Sequence, residues 1–164
     1  VNGATVGLYD DVGAFNVKFG LPHFGDGRPP EFLTEDVLAF RIGFIAEELA
    51  EFCAAHSTKN MAKAADALVD LAYVILGTAH FMGIPFDGIW AEVQRTNMTK
   101  VRLPDSGITT KIVKPEGWVA PDHEPVLRQA HTTFYSTLLA KQQPLGREFE
   151  QVLYENLWDL YERS

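Results

Sequence analysis

A chain of 164 residues can form one ordinary domain with a proper core, and 46% apolar with 22% charged residues excludes wholesale disorder. The 22 acids against 14 bases give a formal charge of −8, which argues against a surface that coats a nucleic-acid polymer, because phosphate neutralisation needs clustered Lys and Arg. A nucleotide substrate stays open, since a bound metal inverts the local charge. The single cysteine, Cys53, excludes an intramolecular disulfide and favours a reducing compartment. It lies in an apolar helical stretch and reads as a buried structural thiol. No signal peptide is visible and no apolar run reaches the ~18 to 20 residues of a membrane span, so a soluble, cytoplasmic protein without a membrane partner is expected.

Residues 9–20 fit a short helix capped by Asp10 or Asp11, with Val12, Phe15 and Phe19 as its stripe and Gly20 as its end. Residues 21–33 have the Pro and Gly content of a long surface loop. Thr34 begins the next helix, with Glu35 and Asp36 in its first turn. Leu38, Ile42, Ile45, Leu49 and Phe52 repeat at spacings of four and three, which predicts a buried stripe on a helix running to Ala55. After a polar turn, with Ser57 or Thr58 as cap, a helix over 59–81 is apolar from Ala67 to Leu76 except at Asp70, and predicts burial against several neighbours. A third helix is expected over 86–99. Asp105-Ser106-Gly107 reads as a turn between Val101–Leu103 and Ile108–Val113, followed by an irregular segment with Pro115, Gly117 and Pro121. Helical patterning returns over 124–141, breaks at Pro144-Leu145-Gly146, and ends in an amphipathic stretch from Phe149 to Tyr161. The expected class is all-α.

Two of these helices carry an anomaly of charge. Glu47-Glu48-Leu49-Ala50-Glu51 lies on the first core helix, and Asp66 and Asp70 share a face of the next. At about 3.6 residues per turn, Glu47 and Glu51 lie about 40° apart with Glu48 about 60° further round. If the helices pack antiparallel, the clusters face each other across one seam. An ionised carboxylate in an apolar helix is costly unless paired or metal-bound. Solvated helix faces account for Glu-Glu-x-x-Glu more often than metal sites do, and a Lys or Arg partner would account for Asp70. The combination shifts the balance, because the glutamates flank the apolar stripe and the aspartates supply partners. Oxygen ligands without nearby His or Cys select Mg²⁺ or Mn²⁺ over Zn²⁺, and such an ion serves phosphoryl chemistry. Glu48, Glu51, Asp66 and Asp70 are the expected metal ligands, and Glu47 the base or an added ligand. Arg95, Asn97 and Lys100, at the end of the third helix, and Lys114 are candidates for phosphate contact. Trp118 is a candidate for stacking on a base, with ordinary packing as the alternative. The five histidines form no HExxH pair and no glycine-rich phosphate loop is present. A di-iron carboxylate bundle would need Glu-x-x-His pairs, which are lacking.

These residues resemble the all-α nucleoside triphosphate pyrophosphohydrolases of the MazG type, whose members carry EExxE on one helix and ExxD on the next. Glu47-Glu48-Leu49-Ala50-Glu51 keeps the first motif. The second departs: aligning Asp70 leaves Ala67 at the glutamate position, and aligning Asp66 leaves Lys63 there. Lys18-Phe19-Gly20-Leu21-Pro22, Asp66 to Tyr73, Arg95 to Lys100 and Lys114-Pro115-Glu116-Gly117-Trp118 resemble the phosphoribosyl-ATP-pyrophosphohydrolase-like branch found in phages and bacteria. The resemblance covers residues 9–122 as a catalytic core and leaves 123–164 as a helical extension that docks on the core or on a neighbouring subunit. It implies cleavage of a nucleotide between its α and β phosphates with Mg²⁺ or Mn²⁺, in a homodimer or homotetramer, in a bacterial or phage-infected cytoplasm. A phage sub-branch acts on dGTP, which makes dGTP or GTP the favoured substrate. Phosphoribosyl-ATP is the chief rival, and a non-enzymatic helical interaction module the alternative from another class.

Overall fold

The computed structural model describes residues 7–103 and 112–140. Within them the fold is all-α: α1 (Leu8–Lys18), α2 (Glu35–Ser57), α3 (Met61–Phe81), α4 (Phe86–Asn97) and α5 (Glu124–Ala140). A minimal antiparallel pair, β1 (Val101–Arg102) and β2 (Ile112–Val113), separates α4 from α5, with Val101 opposite Val113. The expected turn at 105–107 and the helical pattern from Phe149 to Tyr161 lie outside the described residues.

The helix ends differ from the expected caps in instructive ways. Gly7, not an aspartate, is the N-cap of α1; Asp10 reaches back from the first turn to accept the Gly7 N–H at 3.3 Å. Gly20 ends this helix as expected, in the left-handed conformation at φ 66°. Ser57 and Thr58 do not cap α3. Their hydroxyls donate back to the Cys53, Ala54 and Ala55 carbonyls, and Asn60 takes the cap by accepting the Lys63 N–H at 3.1 Å. Between them Lys59 holds φ 57°, where glycine is usual, so that its N–H reaches the His56 carbonyl and the Asn60 N–H reaches that of Ala55.

This turn folds α2 and α3 into an antiparallel hairpin, as the bonds from Arg41 near the start of α2 to Val74 and Thr78 near the end of α3 require. The face of α2 turned towards α3 shares only Ile45 and Phe52 with the predicted stripe. Val37, Arg41, Phe44, Ile45, Glu48, Phe52 and Ala55 form the covered row, whereas Leu38, Ile42 and Leu49 are 45%, 54% and 50% exposed. On α3, the small residues Ala64, Ala67 and Gly77 are buried and let the two backbones approach, while Leu68 and Ile75 are 49% and 43% exposed. The expectation that α3 is buried on most sides is therefore corrected: among the described residues it is covered on two faces, by α2 and α1. Cys53 is likewise exposed rather than buried, because it projects from the uncovered side of α2.

The innermost cluster lies where α1 crosses α3. Tyr9 and Val12 pack with Leu76 and Ala79, flanked by Ile84 and Phe86. His80 ties three segments together there. Its Nε2 bonds the Tyr9 carbonyl at 2.8 Å, its Nδ1 accepts the Phe24 N–H at 3.0 Å, and its ring stacks on Tyr9 with centroids 3.8 Å apart. α5 packs on the same chain, with Val126 so close to Gly88 that a Cβ there would sit 2.7 Å from it. α3 is the one described helix long and apolar enough, by length and composition alone, to cross a membrane. Asp66 and Asp70 within it would each cost about 2.5–3.5 kcal/mol at a bilayer centre, and two of its faces pack on α1 and α2.

Candidate active site

The α2–α3 hairpin brings the five sequence-marked carboxylates together. Glu48 lies in the covered row of α2 and is half-buried; Glu47, Glu51, Asp66 and Asp70 are exposed around it. Desolvation, followed by the charges of Glu51, Asp70, Glu47 and Asp66, raises the Glu48 carboxyl above the usual carboxylate range. Ala67, the residue at the altered motif position, is buried against α2 and offers no oxygen. None of the five carboxylates forms an ion pair among the described residues, where Arg28 pairs with Asp26 and Glu31, and Arg95 with Glu92.

Whether a divalent cation fits is a question of donors and of convergence. The donor set is hard, anionic and uncompensated, as Mg²⁺ or Mn²⁺ requires. Among the described residues, however, no three Asp, Glu, His or Cys side chains converge into a ready-made cage. Mg²⁺ tolerates this, since it keeps several waters and binds through one or two carboxylates plus phosphate oxygens. The hairpin therefore fits an open, hydrated ion rather than a closed structural site.

Next to the acids a cavity of about 520 Å³ opens at the turn end of the hairpin, lined by Glu51, Ala54, Ala55, Thr58, Lys63 and Asp66. The candidate phosphate and base contacts gather elsewhere, at the end of α4. Trp118 donates its indole N–H to the Thr96 carbonyl at 3.2 Å, with Lys114 Nζ 4.3 Å and Lys100 Nζ 5.9 Å from its ring centroid. Arg95 makes two 2.7 Å bonds to Glu92, and Asn97 is exposed. Arg95 and the Asp122 N–H together pull the Glu92 carboxyl down to about 2. No ion pair or hydrogen bond joins this cationic group to the five carboxylates among the described residues.

Two side chains in the hairpin escaped the sequence reading. Arg41 donates to Thr78 Oγ1 at 3.1 Å and to the Val74 carbonyl at 2.7 Å, and lies over the Phe44 and Phe81 rings. A lone arginine at that point of an apolar pattern gives no sign of facing inward. Thr58 lines the cavity although its sequence context suggested only a cap.

The hairpin brings acids from both of its arms to one seam around Glu48. Residues 25–97 match the family model for phosphoribosyl-ATP pyrophosphohydrolase, and this domain belongs to the MazG-like nucleoside triphosphate pyrophosphohydrolase superfamily. The matched span holds all five carboxylates, Arg95 and Asn97; Lys100, Lys114 and Trp118 lie beyond it. No curated protein matches the chain.

Proposed function

We propose that the protein is a metal-dependent nucleotide pyrophosphohydrolase that converts an NTP or dNTP, with dGTP or GTP favoured, to the monophosphate and pyrophosphate. The observation that carries this reading is the half-buried Glu48 ringed by Glu47, Glu51, Asp66 and Asp70 within a hairpin of a pyrophosphohydrolase family. Glu48, Glu51, Asp66 and Asp70 would hold Mg²⁺ or Mn²⁺. When bound, such an ion polarises a phosphoryl oxygen and acidifies its water. Glu47, at the exposed edge, accepts a proton from the attacking water or adds a ligand. The water oxygen bonds to the α phosphorus, the bond from that phosphorus to the bridging oxygen breaks, and pyrophosphate leaves. Asn97 and Lys100 grip phosphate oxygens, Arg95 and Lys114 extend the positive surface, and Trp118 adjoins the base.

The assembly in this reading is a homodimer or homotetramer. The exposed apolar residues Leu38, Ile42 and Leu49 of α2 and Leu68 and Ile75 of α3 support it, as surface that a second copy would cover. Residues 9–122 act as the catalytic core and 123–164 as an extension on the core or on the neighbouring subunit, in a soluble protein of the bacterial or phage-infected cytoplasm, without a membrane or nucleic-acid polymer as partner. A second reading, phosphoribosyl-ATP as substrate, is favoured by the match of residues 25–97 to the phosphoribosyl-ATP pyrophosphohydrolase family. Incubation with each NTP, each dNTP and phosphoribosyl-ATP in Mg²⁺ or Mn²⁺, with products separated by chromatography, tests both. A monophosphate and pyrophosphate from one nucleotide supports the reading; every substrate returned intact overturns it.

A further inference from the structure

We infer that the cavity between α5 and the loop over 24–30 is a second ligand site, for an uncharged flat ring compound that carries a carbonyl oxygen, with Arg28 as the hydrogen-bond donor. This goes beyond the pyrophosphohydrolase reading and does not rest on it. The cavity holds about 450 Å³, the size of a small-molecule site. Phe24, Arg28 and Pro30 belong to one wall, and Val126, Phe134 and Leu138 of α5 to the other. Pro85, just past the end of α3, also lines it, and none of the five seam carboxylates does. From Asp70 to Phe81 alone the helix rises about 16 Å. The cavity is therefore separate from the acidic seam.

Its loop wall is held in place without a ligand. The Phe24 N–H donates to His80 Nδ1 at 3.0 Å and the Glu31 N–H to the Met82 carbonyl at 3.0 Å, which pins both ends of the loop to the end of α3. Between these pins Arg28 Nε donates to Asp26 and Nη1 to Glu31, each at 2.9 Å. On the other wall, the start of α5 is seated by the close approach of Val126 to Gly88. A preformed space of this kind lowers the ordering cost of binding. The lining sets the chemistry of the ligand. The Phe24 and Phe134 rings, with Pro30, Pro85 and Leu138, favour a flat apolar body. Arg28 Nη2 lies 2.8 Å from Asp26 Oδ2, yet it is shielded from solvent and no acceptor meets it in hydrogen-bond geometry among the described residues. A buried donor left in this way is costly, and a ligand oxygen would satisfy it. The ligand is uncharged because Asp26 and Glu31 already outnumber the guanidinium they hold, so an added anion would be repelled.

The test is ligand-observed NMR titration of the full chain with indanone, with indane, which lacks only the oxygen, and with benzoate. The proteins are the wild type, Arg28→Lys and Thr133→Phe. Thr133 lines the cavity from an exposed position of α5, so a phenyl ring there fills the space without displacing packed core. Indanone is expected to bind the wild type saturably and about 10-fold or more tighter than indane, the worth of one hydrogen bond to a charged donor. Benzoate binds more weakly than indanone. Arg28→Lys brings indanone down to the level of indane, and Thr133→Phe abolishes binding of both, with circular dichroism confirming intact helices. A wild type that binds no indanone overturns the site, as does equal affinity for indanone and indane, which would leave only a greasy surface. Benzoate binding tighter than indanone overturns it by marking an anion site. Equal indanone affinity in wild type and Thr133→Phe overturns it by placing the compound elsewhere.

Discussion

Glu48 and its four neighbours carry the account at the scale of single residues. Glu51→Ala and Asp70→Ala each remove a carboxylate from this group without uncovering a packed surface, because both are exposed. Each is expected to reduce pyrophosphate release beyond the ~100-fold that loss of an outer-shell partner costs at a metal site, with an unchanged far-ultraviolet spectrum. Gly13 tests the packing around His80. Helix propensity alone favours Gly13→Ala by about 1 kcal/mol, but the new Cβ would stand 2.9 Å from His80 Cε1. That ring is bonded at both nitrogens and cannot yield, so overpacking of about 1–3 kcal/mol should prevail, and denaturant titration should show a net loss. His80 also has a pH signature. Burial lowers its pKa, as it does that of His131. As pH falls through about 6.5 the unfolded chain binds protons that the native state resists, so stability present above that pH is lost below it. Thermal melts at pH 7.5 and 5.5 should show a drop that is smaller in His80→Gln. The carboxylates themselves were legible from sequence, since their spacing is a property of any helix. Lys63 is visible in the sequence as a motif departure, but the cavity it lines is not, because the turn that joins the two helices shapes it.

At the scale of elements, the helices were legible and the orientation of α2 was not. Of its predicted stripe of Leu38, Ile42, Ile45, Leu49 and Phe52, only Ile45 and Phe52 fall in the covered row, and periodicity alone does not choose between two overlapping apolar faces. The row that meets α3 includes Arg41 and Glu48, which hydropathy would have put outside. Arg41 is tolerated there because the Val74 carbonyl and Thr78 hydroxyl satisfy it, and Glu48 because it stays half-open at the seam. The caps were misassigned for a related reason. Ser, Thr and Asn all compete for helix ends, and the left-handed Lys59 decides which residue faces α3. Lys59→Gly should relieve this strain and stabilise the hairpin by about 0.5–1 kcal/mol, read as a raised denaturation midpoint. A lower midpoint would show that the lysine side chain contributes more than its backbone costs.

The fold is all-α, as its periodicity requires, and the described residues leave an apolar row of α2 uncovered. Burying each of Leu38, Ile42 and Leu49 is worth about 1.5–3 kcal/mol, so an assembly through this face is expected. Ile42→Asp with Leu49→Asp should convert a sedimenting dimer or tetramer to the monomer mass, while the exposed sites leave the hairpin folded. The sequence shows that α2 and α3 are apolar, but not what covers each row, because a row covered from within one chain and a row covered by another chain have the same composition. The most direct test of the central claim is the bond that the wild-type chain cuts. With Mg²⁺ or Mn²⁺ and dGTP, GTP or another member of the nucleotide panel, the account predicts monophosphate and pyrophosphate in equal amounts, dependent on the metal and absent in Asp70→Ala. Diphosphate and free phosphate, or pyrophosphate release that persists in Asp70→Ala, would contradict it.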